Sequence, residues 1–360
     1  MRSPGSGWQD NDEARSDIRV YVTPIAGAAS LNTASVLDTL AKVDTAWRYL
    51  REPQAPPVFD TMAVGIDAMP IRFASGLHLT PQLAAADAPT PDLVVVPGLD
   101  EDVADSLQRN CGWVPWIQRW ARDGAIVASA CTGAFVVAEA GLLDGRAATT
   151  HWVAADSFRA RYPTVELTVA RIVVDTGAVI TSGGSTTAFN LVLYLTARFG
   201  SAERARVATK AMLLDAGRDS QLPFADMGSR RNHHDQLVHD AQSLIEATPG
   251  RSPSVAGLAR QLGVSPRTLT RRFGAAIGVS PKAHIAEVRI EVAKRALEQT
   301  DESVERIRAD SGFLDATSFR RAFKRQVGMS PSEYRRRLGR PPALTGMPLS
   351  GAAAADEVHG

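Results

Sequence analysis

The sequence predicts two unlike halves: an α/β domain built on a parallel sheet, then an all-α domain with two helix-turn-helix units. Three observations carry this. From Ile18 to Arg198, short apolar runs alternate with stretches of helical periodicity, the pattern of a parallel sheet covered on both faces. From Ser254 to Tyr334 the chain says the same thing twice. Ser254 and Gly263 match Ser303 and Gly312 at a spacing of 49, and Leu269, Phe273 and Gly278 match Phe319, Phe323 and Gly328 at a spacing of 50. A repeat of this length is a repeated supersecondary unit. The charge is divided as well. The 360-residue chain is nearly neutral at +1, yet residues 250–340 hold 19 Lys and Arg against 9 Asp and Glu, a net +10. Residues 1–249 hold 21 against 28.

Length and composition suit two soluble domains at ~100–200 residues each. Only Cys111 and Cys131 are present, so no disulfide framework is expected, which suits a reducing cytoplasm. No run approaches the ~20 apolar residues of a membrane span. The first residues are polar and acidic, without the apolar core of a signal peptide. The expected organisation is a tail over 1–16, an α/β domain over 17–213, a linker over 214–234, a helical domain over 235–340, and a second tail over 341–360. The linker carries Gly217, Pro223 and Gly228 without clear periodicity.

In chain order, IRVYVTP from Ile18 reads as a strand and Leu31 to Val43 as a helix. VFDTMAVG near 58–65 is a strand, and DLVVVPG, ending at Gly98, is a continuous apolar run suited to a buried parallel strand. Trp113 to Arg122 is helical. AIVASA is another buried strand and runs straight into Cys131-Thr132-Gly133 and the helical AFVVAEAGLL. RIVVDTGAVITSGG reads as a hairpin or two short strands, and Thr186 to Arg198 as a helix. Asp235 to Ala247 is the helix that opens the second domain.

Each copy of the repeat reads as helix, tight turn, helix. Val255, Leu258, Ala259 and Leu262 share one helical face, Ser254 is a good N-cap, and Gly263 suits the C-terminal stop. Ser265-Pro266 starts the next helix, in which Leu269, Phe273 and Ala276 point inward. Arg267 and Arg271 point nearly opposite, flanked by Thr268. In the second copy Phe319, Phe323 and Val327 face inward, while Thr317, Arg321 and Lys324 face out, flanked by Ser318 and Arg320. A helix-turn-helix lays its second helix in the major groove, where Arg, Thr and Ser meet base edges. The two faces carry different residues, so they should read different sequences, with the first expected to be the stronger base reader. Pro281 to Gln299 is an unbroken helix between them, roughly 27 Å long.

The chemistry of the first domain centres on Cys131. A strand turning sharply into a helix, with Ser129, Ala130, Thr132 and Gly133 around it, has the form of a nucleophile elbow. The helix N-terminus favours a thiolate there, and Thr132 and Gly98 could form an oxyanion-type nest. A cysteine in apolar surroundings is also a common structural residue.

The stretch GFLDATSFRRAFKRQVGMSPSEYRR (312–336), with its weaker first copy, resembles the AraC/XylS-type DNA-binding domain. That resemblance implies two helix-turn-helix units reading successive major grooves of double-stranded DNA. Residues 18–200 resemble the DJ-1/PfpI family, within the flavodoxin-like, class I glutamine amidotransferase-like fold, through VVVPG (94–98), ASACTGAF (128–135), ATTHW (148–152) and ITSGGSTTAF (180–189). Carried over, Cys131 takes the elbow cysteine, His151 the nearby histidine, and Asp38 the acidic residue paired with the cysteine. The sequence before Asp38 departs from the family's Gly-rich pattern, and Asp is one methylene shorter than the usual Glu. No His lies between Trp152 and Asn232, which argues against an amidotransferase triad. The domain order resembles the GlxA family of transcriptional regulators. It implies a homodimeric, non-enzymatic activator that works with RNA polymerase, needs no cofactor or metal, and senses an amino acid, a quaternary amine or another small metabolite near Cys131. Trp152, beside His151, reads as a core residue, with an aromatic wall for a cationic ligand as the alternative. Two other readings stay open: a DNA-tethered cysteine hydrolase or hydratase, and a redox sensor acting through Cys131.

Overall fold

A computed structural model describes residues 18–184, 186–214, 220–225, 233 and 235–339. Both expected tails lie outside the described residues, as does most of the expected linker. The chain divides into two compact units, one ending at Gln221 and the other beginning at Leu222.

The first unit holds strands β1 (Ile18–Val22), β2 (Phe59–Gly65), β3 (Ile71–Arg72), β4 (His78–Leu79), β5 (Leu83–Ala84), β6 (Leu93–Val96), β7 (Ile126–Ser129), β8 (Ala147–Ala148), β9 (Glu166–Leu167), β10 (Val173–Asp175) and β11 (Val179–Ser182). Its helices are α1 (Ser30–Leu50), α2 (Val103–Arg109), α3 (Trp113–Arg122), α4 (Ala134–Glu139), α5 (Ala155–Arg161), α6 (Thr187–Phe199) and α7 (Ala202–Ala211). Seven strands form one sheet in the order β10-β11-β7-β6-β1-β2-β5. All its pairings are parallel except the β10–β11 hairpin.

Period-two alternation sends successive side chains to opposite faces. Val20, Val22, Leu93 and Val95 bury against Val36, Leu40 and Val43 of α1 and Leu191 and Leu195 of α6. Tyr21, Val94, Val96 and Val127 bury against Trp113, Ile117 and Trp120 of α3, Phe135 of α4 and Phe158 of α5. A sheet clad on both sides needs strands apolar throughout, which is why β6 is four consecutive buried residues. Helix α1 runs to Leu50, seven residues past the expected end, because neither Gly nor Pro interrupts it before Pro53.

The second unit is helical: α8 (Gln236–Ala247), α9 (Val255–Gln261), α10 (Pro266–Ile277), α11 (Pro281–Gln299), α12 (Val304–Asp310), α13 (Ala316–Val327) and α14 (Pro331–Leu338). The repeat is visible in its stops and starts. Both α10 and α13 end on a left-handed glycine, Gly278 at φ 74° and Gly328 at φ 83°. Each is followed by a Ser-Pro start, Ser280-Pro281 for α11 and Ser330-Pro331 for α14. Two separate cores result. Val238, Ile245, Leu258, Leu269, Phe273 and Ile285 form the first; Ile290, Leu297, Ile307, Phe319, Phe323 and Tyr334 form the second. Helix α11 feeds both, Ile285 to one and Ile290 to the other. No helix of the described residues is long and apolar enough to cross a membrane.

Candidate ligand cavity and DNA-reading helices

Strand β7 stays extended through Ala130 (φ −109°, ψ 140°), and Cys131 then turns the chain with φ 56° into a short 3-10 turn and α4. A left-handed non-glycine residue costs about 1–2 kcal/mol. Such strain collects at functional sites. The turn packs tightly on the end of β6. A Cβ at Gly133 would lie 2.4 Å from the Val96 carbonyl oxygen, so only glycine lets α4 start there. A Cβ at Gly98 would lie 3.1 Å from Cys131 Cβ and 2.9 Å from Asn32 Nδ2, so Gly98 holds the cysteine and Asn32 on either side of a bare backbone. The Thr132 hydroxyl donates to the Leu99 carbonyl at 3.3 Å, and Thr150 Oγ1 to the Cys131 carbonyl at 3.0 Å.

A cavity of about 1040 Å³ opens over this corner, at the carboxyl ends of β6 and β7, the usual ligand position in an open parallel sheet. Its wall includes Cys131, Thr132 and His151, so three of the residues singled out in the sequence share one space. Gly98 packs beside the cysteine but is not part of the wall. Asp38 does not join them: it is exposed on α1 and is not part of the cavity wall. The residue of α1 that reaches the corner is Asn32, buried and donating from Nδ2 to the Gly98 carbonyl at 3.4 Å. Six residues further along a helix is 240° round it, so Asn32 and Asp38 cannot share a face. The carboxylates at the cavity belong to the loop before α2: Asp100, Glu101 and Asp102. Asp102 caps α2 and Asp100 stands 3.7 Å from Arg109. Trp152 is half-buried, with its ring 5.7 Å from that of His151, and is not part of the wall.

Burial pulls the His151 pKa below the ordinary imidazole value. Its Nδ1 accepts from the Val153 N–H at 3.1 Å, so the neutral ring carries its proton on Nε2. The ring lies against Gly184, where a Cβ would stand 2.7 Å from its Cδ2. Behind Gly184 sits a residue that sequence reasoning missed. Gln221 is buried; its Oε1 accepts from the Gly184 N–H at 2.9 Å, and its Nε2 donates to the carbonyls of Val169 (2.9 Å) and Thr150 (3.0 Å). It thereby ties the strand end that carries His151 to the glycine pair that supports the ring.

In the second unit, Arg267 and Arg271 of α10 are exposed, as are Thr317, Ser318, Arg320, Arg321 and Lys324 of α13. Thr268 is half-buried and its hydroxyl lies 2.9 Å from Ser265 Oγ. Among the described residues no ion pair engages Arg267, Arg271, Arg320, Arg321 or Lys324. Arg272, one position from Arg271, is committed to the fold: it makes a two-point bond to Asp235, the cap of α8, at 2.6 and 2.7 Å.

The model of the DJ-1/PfpI family matches residues 42–198, and a helix-turn-helix domain model matches residues 258–337. The chain is similar to the HTH-type transcriptional regulator GbdR of Pseudomonas aeruginosa (strain UCBPP-PA14), 26% identical over 292 residues, covering 79% of this chain and 77% of GbdR. It is 31% identical over 225 residues to the HTH-type transcriptional regulator GlxA of Rhizobium meliloti (strain 1021), covering 62% of this chain and 69% of GlxA. It is 34% identical over 130 residues to the isonitrile hydratase of Pseudomonas putida, covering 36% of this chain and 54% of that enzyme.

Proposed function

The chain belongs to the GlxA-type regulators, a DJ-1/PfpI domain joined to an AraC-type helix-turn-helix domain, and on that footing we propose that it binds a promoter through α10 and α13 and senses a small cationic metabolite in the cavity over Cys131. The observation that carries this reading is two tandem second helices whose exposed guanidinium groups make no ion pair within the described residues. Cations left uncommitted on a reading face are available to base edges and phosphates. The effector class rests on the cavity, where Asp100, Glu101 and Asp102 bring negative charge to a partly apolar space. An amine or quaternary ammonium group suits that lining. Activation rather than repression is the role expected from the family resemblance.

A cysteine enzyme is the second reading, favoured by the left-handed Cys131 and the similarity to an isonitrile hydratase. Against it, α1 brings Asn32 rather than a carboxylate to the corner, so that helix supplies no ionisable group for proton transfer. Thermal shift with a panel of amines, amino acids and isonitriles, repeated on Cys131→Ala, separates the two. The sensor reading expects an amine that raises Tm and alters promoter binding in the same concentration range, with DNA binding retained in the variant. Turnover of an isonitrile that disappears in Cys131→Ala would establish the enzyme instead. DNA binding that responds to peroxide in the wild type and not in the variant would establish redox sensing.

A further inference from the structure

A second cavity, of about 490 Å³, lies within the helical unit, where its two helix-turn-helix copies meet. Ser254 and Val255 at the start of α9 form one wall. Lys282, Ile285 and Arg289 line it from one face of α11, and Phe313 closes it from the turn ahead of α13. Two cations face this space, and no Asp or Glu lines it. Arg289 is the unusual member. Among the described residues its buried Nε has no hydrogen-bond partner, and its one hydrogen bond runs from Nη2 to the Ser252 carbonyl at 3.4 Å. Nη1 has no partner among the described residues. The turn at Gly312 comes close to the guanidinium: a Cβ there would lie 3.1 Å from Nε and 2.4 Å from the Gly250 carbonyl oxygen, so only glycine leaves room for both. Burial lowers the Arg289 pKa and no neighbouring acid offsets it. A half-buried cation held without a counter-charge is costly and is retained where a ligand supplies the charge.

We propose that this cavity is a phosphate site, in which Arg289 and Lys282 hold a backbone phosphodiester of duplex DNA between the two major grooves read by α10 and α13. The proposal rests on the DNA-binding reading above. Both flanks of the cavity belong to parts of a helix-turn-helix that approach the duplex. Helix α9 is the first helix of its copy, the one that crosses the backbone. Phe313 lies two residues before Asp315, the cap of the second reading helix. A strand passing from one major groove to the next must cross the middle of the unit, where α11 carries these cations. Because a phosphodiester is the same in every sequence, the site adds affinity and sets register without choosing bases.

The test uses the full chain, a fluorescent duplex and a salt series, on the wild type, Arg289→Gln and Lys282→Gln. Each variant should bind about tenfold more weakly near ~0.1 M salt, with the slope of log K against log salt shallower by about 0.9, the signature of one lost phosphate contact. Sequence preference should not change. Tm of Arg289→Gln should equal or exceed that of the wild type, because an uncompensated charge has been removed. Unchanged slopes in both variants overturn the site. So does a lowered Tm in Arg289→Gln with wild-type binding by Lys282→Gln, which makes the guanidinium structural. If inorganic phosphate raises the wild-type Tm while the DNA slopes stay equal, the cavity serves a free anion instead. A wild type that binds no duplex at any salt removes the DNA reading itself, and this site with it.

Discussion

The two helix-turn-helix copies share a scaffold and differ in where their cations go. In the first, Arg272 is bonded to the cap of α8, bracing α10 against the helix that opens the unit. Its counterpart fifty residues on is Ala322, buried in the second core. In the second, Arg320, Arg321, Lys324 and Arg325 are all exposed along α13. The caps differ too. Ser265 starts α10 through its hydroxyl, whereas Asp315 starts α13 with a carboxylate that accepts from the Ser318 N–H at 2.8 Å. The first copy commits one of its three α10 arginines to holding the unit together and presents Arg267 and Arg271, whereas the second presents all four of its α13 cations. A repeat thus conserves the apolar geometry that makes the fold while its polar positions diverge in task.

The sharpest way to break this comparison is to ask whether the copies are two cores or one. Phe273 and Phe323 are both fully buried, in different clusters. Phe273→Ala and Phe323→Ala should each cost about 3–5 kcal/mol, and the double variant should show their sum within ~0.5 kcal/mol. Denaturant melts of the three variants measure this, and a strong departure from additivity would mean that α11 welds the cores into one.

A smaller effect separates the reading faces. Arg271→Ala should relax base preference at one contact and Arg321→Ala at another, each by roughly 1–3 kcal/mol if bidentate to guanine. Binding-site selection on both variants checks it. Uniform weakening with unchanged preference would move both arginines to the phosphates and leave the copies alike in role.

The smallest effect is on pH. The Ser318 backbone N–H holds the Asp315 carboxyl below its ordinary pKa, with the Ser318 side chain adding to this. A folded pKa lower than the unfolded one stabilises at pH values above the unfolded value, about 3.9, and that contribution fades as pH falls through the folded pKa. Asn still caps a helix but does not titrate. The wild type should therefore exceed Asp315→Asn in Tm at pH 6, and the gap should close toward pH 3. Ser265→Asn, in the copy capped by a neutral hydroxyl, should show a Tm offset that does not vary over the same range. A gap that stays constant for Asp315→Asn would show that the two caps act alike.

How much of this was legible depended on whether the signal was local. The repeat was readable because helical periodicity, Ser caps and left-handed glycines are written within a few residues of one another. The Cys131 corner was readable for the same reason, since a strand turning into a helix leaves only small residues at the turn. Which residue of α1 would face that corner was not readable. The phase of a helix against its sheet is set by packing, and SLNTASVLD offers Asn32 and Asp38 without saying which turns inward. Gln221 was still less visible. Its side-chain partners lie 37 to 72 residues away, and it sits in a stretch with no periodicity at all.

That glutamine fixes where the protein can be cut. Gly183 is bare because the Gln221 side chain fills the place its Cβ would take, 2.2 Å from the carboxamide carbon, and Gly184 is bare because the His151 ring fills the place of its own. A fragment of the first unit ended near residue 213, just past the last helix, would lose the side chain that packs under Gly183 and bonds to Gly184 beside His151. Any ligand affinity measured on that fragment would then describe the truncation, not the unit. For chimaeras that graft the first unit onto another helix-turn-helix module, the crossover belongs after Gln221.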